Sequence, residues 1–185
     1  YCDLTGEAQW MRKMIDQHQT HAEASGARIV HNCGFDSIPS DLGVHFLQQH
    51  SHAEFNEYCN DIRTGVKGAR GGMSGGTVAS LINVVKQATK DSALRKELQN
   101  PYSVCPAEFR KGVRQRNVAK PEYDDNMKSW LGPWVMAAIN TRVVHRSNAL
   151  LARIYGEDFK YDESMMMGDG IKGRARATAL ATAMG

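Results

Sequence analysis

The order of signals between residues 8 and 55 restricts the fold more than any other feature of the chain. AQWMRKMIDQHQTHAEA, residues 8–24, places Trp10, Met11, Met14, Ile15 and His18 at spacings that make one largely apolar helical face. Gly26 stands where a helix-ending glycine belongs, and Thr5 or Gly6 can cap the start. The run ARIVHNC has the make-up of a short buried strand, and SDLGVHFLQQH reads as a second helix. Helix, glycine turn, strand, loop and helix is the order of a doubly wound α/β sheet. With Tyr1–Asp3 as the end of a preceding strand, residues 1–33 hold most of one βαβ crossover.

After His52 the alternation loosens. EFNEYCNDIRTGVKGARGG predicts one long strand or two shorter ones, and GGTVASLINVVKQATKD a helix with Val78, Leu81, Ile82 and Val85 on its apolar face. SALRKELQN extends that helix or forms a second one before Asn100-Pro101. Residues 101–128 carry Pro101, Pro106 and Pro121, three of the five prolines, together with a basic run, and are expected to be a surface excursion. WVMAAINTRVVHRSNALLARIYG fits a buried helix or a strand-to-helix pair. FKYDESMMMGDGIKG reads as a strand and IKGRARATALATAMG as a final helix. The expectation is therefore an α/β chain: residues 1–50 as the closing part of a Rossmann-type parallel sheet, and 51–185 as a mixed α+β substrate or dimerisation domain.

Composition removes several function classes. With 42% hydrophobic and 23% charged residues the 185-residue chain is not a disordered one. No apolar run reaches the ~20 residues of a membrane-spanning helix, and no signal-peptide pattern is present. A net charge of +3 gives no case for nucleic acid. The four cysteines form no CxxC pair, and reduced thiols in a cytoplasmic setting are the simpler reading. The first residue is Tyr1 and the last helical pattern runs to the final glycine, so both ends read as cuts through a longer polypeptide.

Four stretches could carry chemistry. GFDSIPSDLG, residues 34–43, puts a polar loop between the strand and the second helix, where free backbone N–H groups favour anionic or electron-rich ligands. Capping by Asp36 or Ser37, with Pro39 in the first turn and Asp41 favourable to the dipole, explains the same residues without a ligand. Both readings stand at this level. KGARGGMSGGT, residues 67–77, offers Ser74, Gly75, Gly76 and Thr77 at a helix start, but is neither a Walker A loop nor the GxGxxG fingerprint. His18 and His21 lack the partners of a metal site, and no GxSxG elbow supports a hydrolase. RKGVRQRNVAK, with Arg110, Lys111, Arg114, Arg116 and Lys120, lacks interleaved aromatics and reads as a solvated loop.

YCDLTGE, GARIVHNCGFDSIPSDLG, GGMSGGTVAS, and INTRVVHRSN followed by YGEDFKYDE together resemble the saccharopine dehydrogenase-like oxidoreductases, especially the bacterial branch called trans-acting enoyl reductases. The resemblance implies an N-terminal Rossmann domain that binds NADP or NAD, and a second domain for substrate and homodimerisation. The family's glycine-rich fingerprint would lie upstream of this chain. Asp3, Thr5 and Glu7 would occupy one loop at the carboxyl end of a strand. Gly34, Phe35, Asp36, Ser37 and Pro39 would occupy the next, near the nicotinamide ring. Ser74, Gly76 and Thr77 would close the cleft from the substrate side. Arg142, Arg146, Ser147 and Asn148 fall at further family positions. The implied reaction is hydride transfer to or from an enoyl, imine or ketone substrate. The donor for the charge that develops is not identified, and Ser37 and Arg146 are the residues put forward for it. Alone, the chain is expected to hold no cofactor and to be inactive. A non-catalytic dimerisation or ligand-binding domain is the competing reading.

Overall fold

A computed structural model describes residues 1–68, 75, 86 and 88–185. Helix α1 runs Ala8–Ser25 and α2 Ile38–Phe55; strand β1 is Asp61–Val66; α3 is Ser92–Gln99. A 3-10 turn at Ala107–Phe109 precedes β2, Glu122–Asp124, and β3, Ser129–Gly132. Then come α4, Ala137–Leu150, β4, Lys160–Met166, and α5, Gly170–Met184. The sheet order is β1-β4-β3-β2. β1 pairs parallel to β4, with Asp61 opposite Lys160, whereas β3 is antiparallel to both β4 and β2. The result is a mixed α/β chain with a four-stranded mixed sheet.

In place of the expected strands, the segments flanking α1 meet in parallel at a single bridge. Cys2 and Val30 form a parallel bridge, in which Asp3 N–H donates to the Val30 carbonyl (3.1 Å) and Val30 N–H to that of Tyr1 (2.9 Å). Helix α1 connects the two paired segments and ends at Gly26, whose φ of +72° favours a residue without Cβ. The expectation of a buried strand at ARIVHNC is corrected. Ile29 is 46% and Val30 50% exposed, because no described element covers that face of the run. The start of α1 differs too: Glu7 is its N-cap, and Thr5 Oγ1 accepts the Glu7 N–H at 3.4 Å.

Helix α4 organises the interior. Val144 packs with Val44 of α2, Ile62 of β1, Phe159 just before β4 and Tyr161 of β4, while Ile139 packs with Ala8, Met11 and Val104. Asn140, Thr141, Arg142, His145 and Asn148 are buried on the same helix, so α4 is enclosed almost all round and each polar group needs a partner. This settles the WVMAAINTRVVHRSNALLARIYG stretch as a helix from Ala137 to Leu150. Two other expectations fall. EFNEYCN is not strand, because α2 runs on to Phe55 and closes with Asn56 at φ +56°. Residues 101–128 are not an excursion, because Val104 and Cys105 are 2% and 1% exposed beneath α4. Among the described residues no helix is long and apolar enough to cross a membrane.

Candidate active site

The loops at 3–7 and 34–39 lie side by side, as the pairing of their parent segments requires. Cys33 N–H donates to the Asp3 carbonyl at 2.8 Å, and a Cβ on Gly34 would sit 3.4 Å from Leu4 Cδ2. Asp3 holds this corner with both carboxylate oxygens. Oδ1 accepts the Thr5 N–H at 3.1 Å, and Oδ2 lies 2.6 Å from His31 Nδ1. Phe35, 89% exposed, and Leu4 project from the two loops as apolar surface. Asp36 is exposed, Ser37 is buried, and Pro39 sits in the first turn of α2.

The capping expectation holds in position and fails in chemistry. Ser37 is the N-cap of α2, yet its side chain makes no capping bond. Instead Ser37 N–H and Ile38 N–H both turn back to the Gly34 carbonyl, at 3.2 and 3.0 Å. The amides of Phe35 and Asp36 are left without a partner among the described residues. The free donors therefore stand at the loop tip and not inside the helix start.

The polar residues further along GFDSIPSDLG reach into the protein. Ser147 Oγ donates to Asp41 Oδ2 at 2.9 Å, and burial pushes the Asp41 carboxyl up against the opposing effect of that bond. Asn140 Nδ2 donates to Ser40 Oγ (3.1 Å) and to Glu163 Oε2 (2.9 Å). Tyr161 OH donates to Glu163 Oε1 at 2.5 Å, and Thr64 Oγ1 donates to Tyr161 OH at 3.3 Å. Burial and the neighbouring Glu163 push the Tyr161 phenol up, so it stays a donor. One buried chain of hydrogen bonds thus joins α2, α4, β1 and β4. Asn140 Oδ1 alone finds no partner in it.

The other singled-out residues separate into roles. Arg146 Nη1 donates to the Val104 carbonyl at 2.6 Å, and burial lowers its guanidinium below the ordinary value. It lines an apolar cavity of about 690 Å³ with Trp10, Met14, Ile29 and Ser147. Ser37 does not line that cavity, so the two residues put forward as donor do not converge there. Asn148 clamps the chain after α4: its Nδ2 donates to the Gly156 carbonyl (3.2 Å) and its Oδ1 accepts the Tyr155 N–H (3.1 Å). Arg142 is spent on Ser103 Oγ (3.2 Å) and the carbonyls of Ala138 and Leu98. Ser74, Gly76 and Thr77 lie outside the described residues. His18 and His21 are exposed, and among the described residues no group of His, Cys, Asp and Glu is arranged for a metal.

A second cavity, of about 810 Å³, opens between the end of α3, the 110–117 strip, α4 and β4. The strip belongs to the basic run, whose reading as a solvated loop holds for the exposed Lys111, Arg114 and Lys120 and is corrected for Arg110 and Arg116. Arg110 pairs with Asp16, and Arg116 with Asp162 (3.3 Å) and Glu122. Asn140, Tyr161, Glu163 and Gln115 were not singled out from the sequence. The available signal was Tyr161 and Glu163 two apart on a strand, hence on one face.

Proteins already known support one direction. The chain is 38% identical over 180 residues to a Mycobacterium tuberculosis protein provisionally named a trans-acting enoyl reductase, across 92% of this chain and 42% of that protein. A Mycobacterium bovis protein named trans-acting enoyl reductase is 35% identical over 187 residues, 97% of this chain and 45% of the relative. A Mycobacterium ulcerans protein of the same name is 35% identical over 178 residues, covering 91% and 42%. The chain therefore spans less than half the length of the curated relatives it matches. No protein-family model matches it, and no solved structure does. What the sequence is similar to, over more than nine-tenths of its length, is a set of proteins bearing the name trans-acting enoyl reductase.

Proposed function

We propose that this chain forms part of an NAD(P)-dependent oxidoreductase of the trans-acting enoyl reductase kind, within the saccharopine dehydrogenase-like family. The observation that supports it most is the likeness to those relatives, 35–38% identical over more than 90% of the chain. The geometry agrees in one respect. Two loops that follow parallel-paired segments meet, the place where open α/β sheets take ligands. Their residues fit the nicotinamide end of a dinucleotide: Phe35 and Leu4 offer an apolar face, and two free loop-tip amides stand beside it.

When bound, the dinucleotide supplies the hydride. In this reading the Asp3–Glu7 and Gly34–Pro39 loops orient the ring, and the Phe35 and Asp36 amides hold its carboxamide. The Asp3–His31 pair fixes the first loop, and the Asp41–Ser147 and Ser40–Asn140 bonds fix the start of α2. The substrate is an enoyl, imine or ketone compound, with the enoyl compound favoured by the relatives' name. Homodimerisation and a cytoplasmic setting belong to the same proposal.

The test is NADPH- and NADH-dependent reduction of an enoyl thioester by a protein of the relatives' length that contains this sequence. Turnover is expected there and not with the 185-residue chain alone. A longer protein that folds and reduces none of the enoyl, imine and ketone substrates contradicts the reading.

A further inference from the structure

The strip from Arg110 to Arg116 has no regular secondary structure, yet its backbone is held along its length. Asn100 Nδ2 donates to the Arg110 carbonyl at 3.1 Å, and Tyr102 OH donates to that of Val113 at 2.8 Å. Gln115 ties the strip to β4: its Nε2 donates to the Phe159 carbonyl (3.1 Å), and its Oε1 accepts the Tyr161 N–H (3.0 Å). Gly112 lies flat on the Tyr102 ring, where a Cβ would come within 2.5 Å of Cζ. A glycine is needed there for close approach, not for a turn.

This clamped strip presents its cations to the cavity of about 810 Å³. Arg110 and Arg116 are neutralised by Asp16, Asp162 and Glu122. Lys111 and Arg114 line the cavity with no carboxylate partner among the described residues. Arg142 lines it too, 6% exposed and bonded only to neutral oxygens of Ser103, Ala138 and Leu98. Of the two acids of the lining, Asp162 is paired with Arg116, whereas Glu163 accepts, among the described residues, only from the neutral Asn140 and Tyr161, which cancel none of its charge, so five cations stand against two carboxylates. The wall is left with a positive excess beside a concavity large enough for a small organic molecule.

We infer that this cavity is a binding site for an organic anion, a carboxylate or a phosphate ester whose charged end meets Lys111 and Arg114. Arg142 contributes field from beneath, since its hydrogen bonds are already used. The body of the ligand lies against Tyr102, Pro101 and Ala138. The site shares no residue with the loops at 3–7 and 34–39, and the inference stands whether or not those loops hold a dinucleotide.

The experiment is calorimetric titration of the 185-residue chain with hexyl phosphate, hexanoate and hexanol at low ionic strength. Saturable binding is expected for at least one of the two anions and not for the alcohol. Which anion binds tighter tells phosphate from carboxylate. The Lys111→Gln/Arg114→Gln double variant changes two exposed side chains and should keep the circular dichroism of the parent. Its affinity is expected to fall at least about tenfold, the order of one lost charged hydrogen bond. Equal binding of hexanol, no saturable binding of either anion, or an unchanged affinity in the folded double variant would each overturn the proposal.

Discussion

His145 sits where an aromatic hydrocarbon would be at ease. Its ring lies 4.7 Å from that of Tyr102 and 5.6 Å from that of Phe159, and Nε2 has no hydrogen-bond partner. Burial pushes its pKa down from 6.5 to about 4. Between those values the unfolded chain takes up a proton that the folded chain refuses, so stability falls as pH falls through this window. Asp41 and Asp162, whose carboxyls burial pushes up, act in the opposite sense nearer their own range. The effect of His145 is therefore read above about pH 5. Urea unfolding at stepped pH should show a loss approaching about 1 kcal/mol per pH unit, and His145→Phe should flatten that slope. A stability that stays level or rises as the pH drops from 7 to about 5 contradicts this account.

At the scale of elements, α5 packs against the segment that leads into it at one glycine. A Cβ on Gly173 would lie 2.0 Å from the Gly168 carbonyl oxygen, which already accepts the Trp130 N–H at 2.9 Å. Gly→Ala inside a helix ordinarily stabilises by up to about 1 kcal/mol. Here the sign should reverse: Gly173→Ala is expected to cost about 2 kcal/mol or more, since α5 must move away from the Gly168 carbonyl. A melting temperature equal to or above that of the parent would show that the contact is not limiting. Nothing in IKGRARATALATAMG announces this glycine, because the clash involves backbone from outside the helix. Helices α1 and α2 were legible because the apolar periodicity and closing Gly26 of α1, and Pro39 in the first turn of α2, are local signals. The exposure of Val30 and the burial of residues 103–105 were not, because each depends on what other elements cover. The Asn140–Glu163–Tyr161 network escaped notice for the same reason, as its members come from α4 and β4 and meet only in three dimensions.

At the scale of the whole molecule, segments far apart in sequence converge on α2. Its first turn is bonded to Asn140 and Ser147 of INTRVVHRSN and, through Asn140, to Glu163 of YGEDFKYDE. Its preceding loop touches YCDLTGE. GFDSIPSDLG is thus divided in use. Ser40 and Asp41 fasten the helix to α4, Ser37 is buried, and Phe35 and Asp36 stay at the surface beside Leu4. The turn back to the Gly34 carbonyl explains the helix start, and fastening explains the excess of polar groups there. The exposed Phe35 and the free amides beside it are what structure alone does not require, and they carry the proposal of a dinucleotide site. The most direct measurement is a fluorescence titration with NADPH and NADH of a protein of the relatives' length that contains this sequence. Saturable binding of at least one nucleotide is expected, weakened about tenfold by Phe35→Ala, whose exposed ring plays no part in folding. Absence of binding to either nucleotide, or binding that Phe35→Ala leaves untouched, would contradict the placement of the nicotinamide between these two loops.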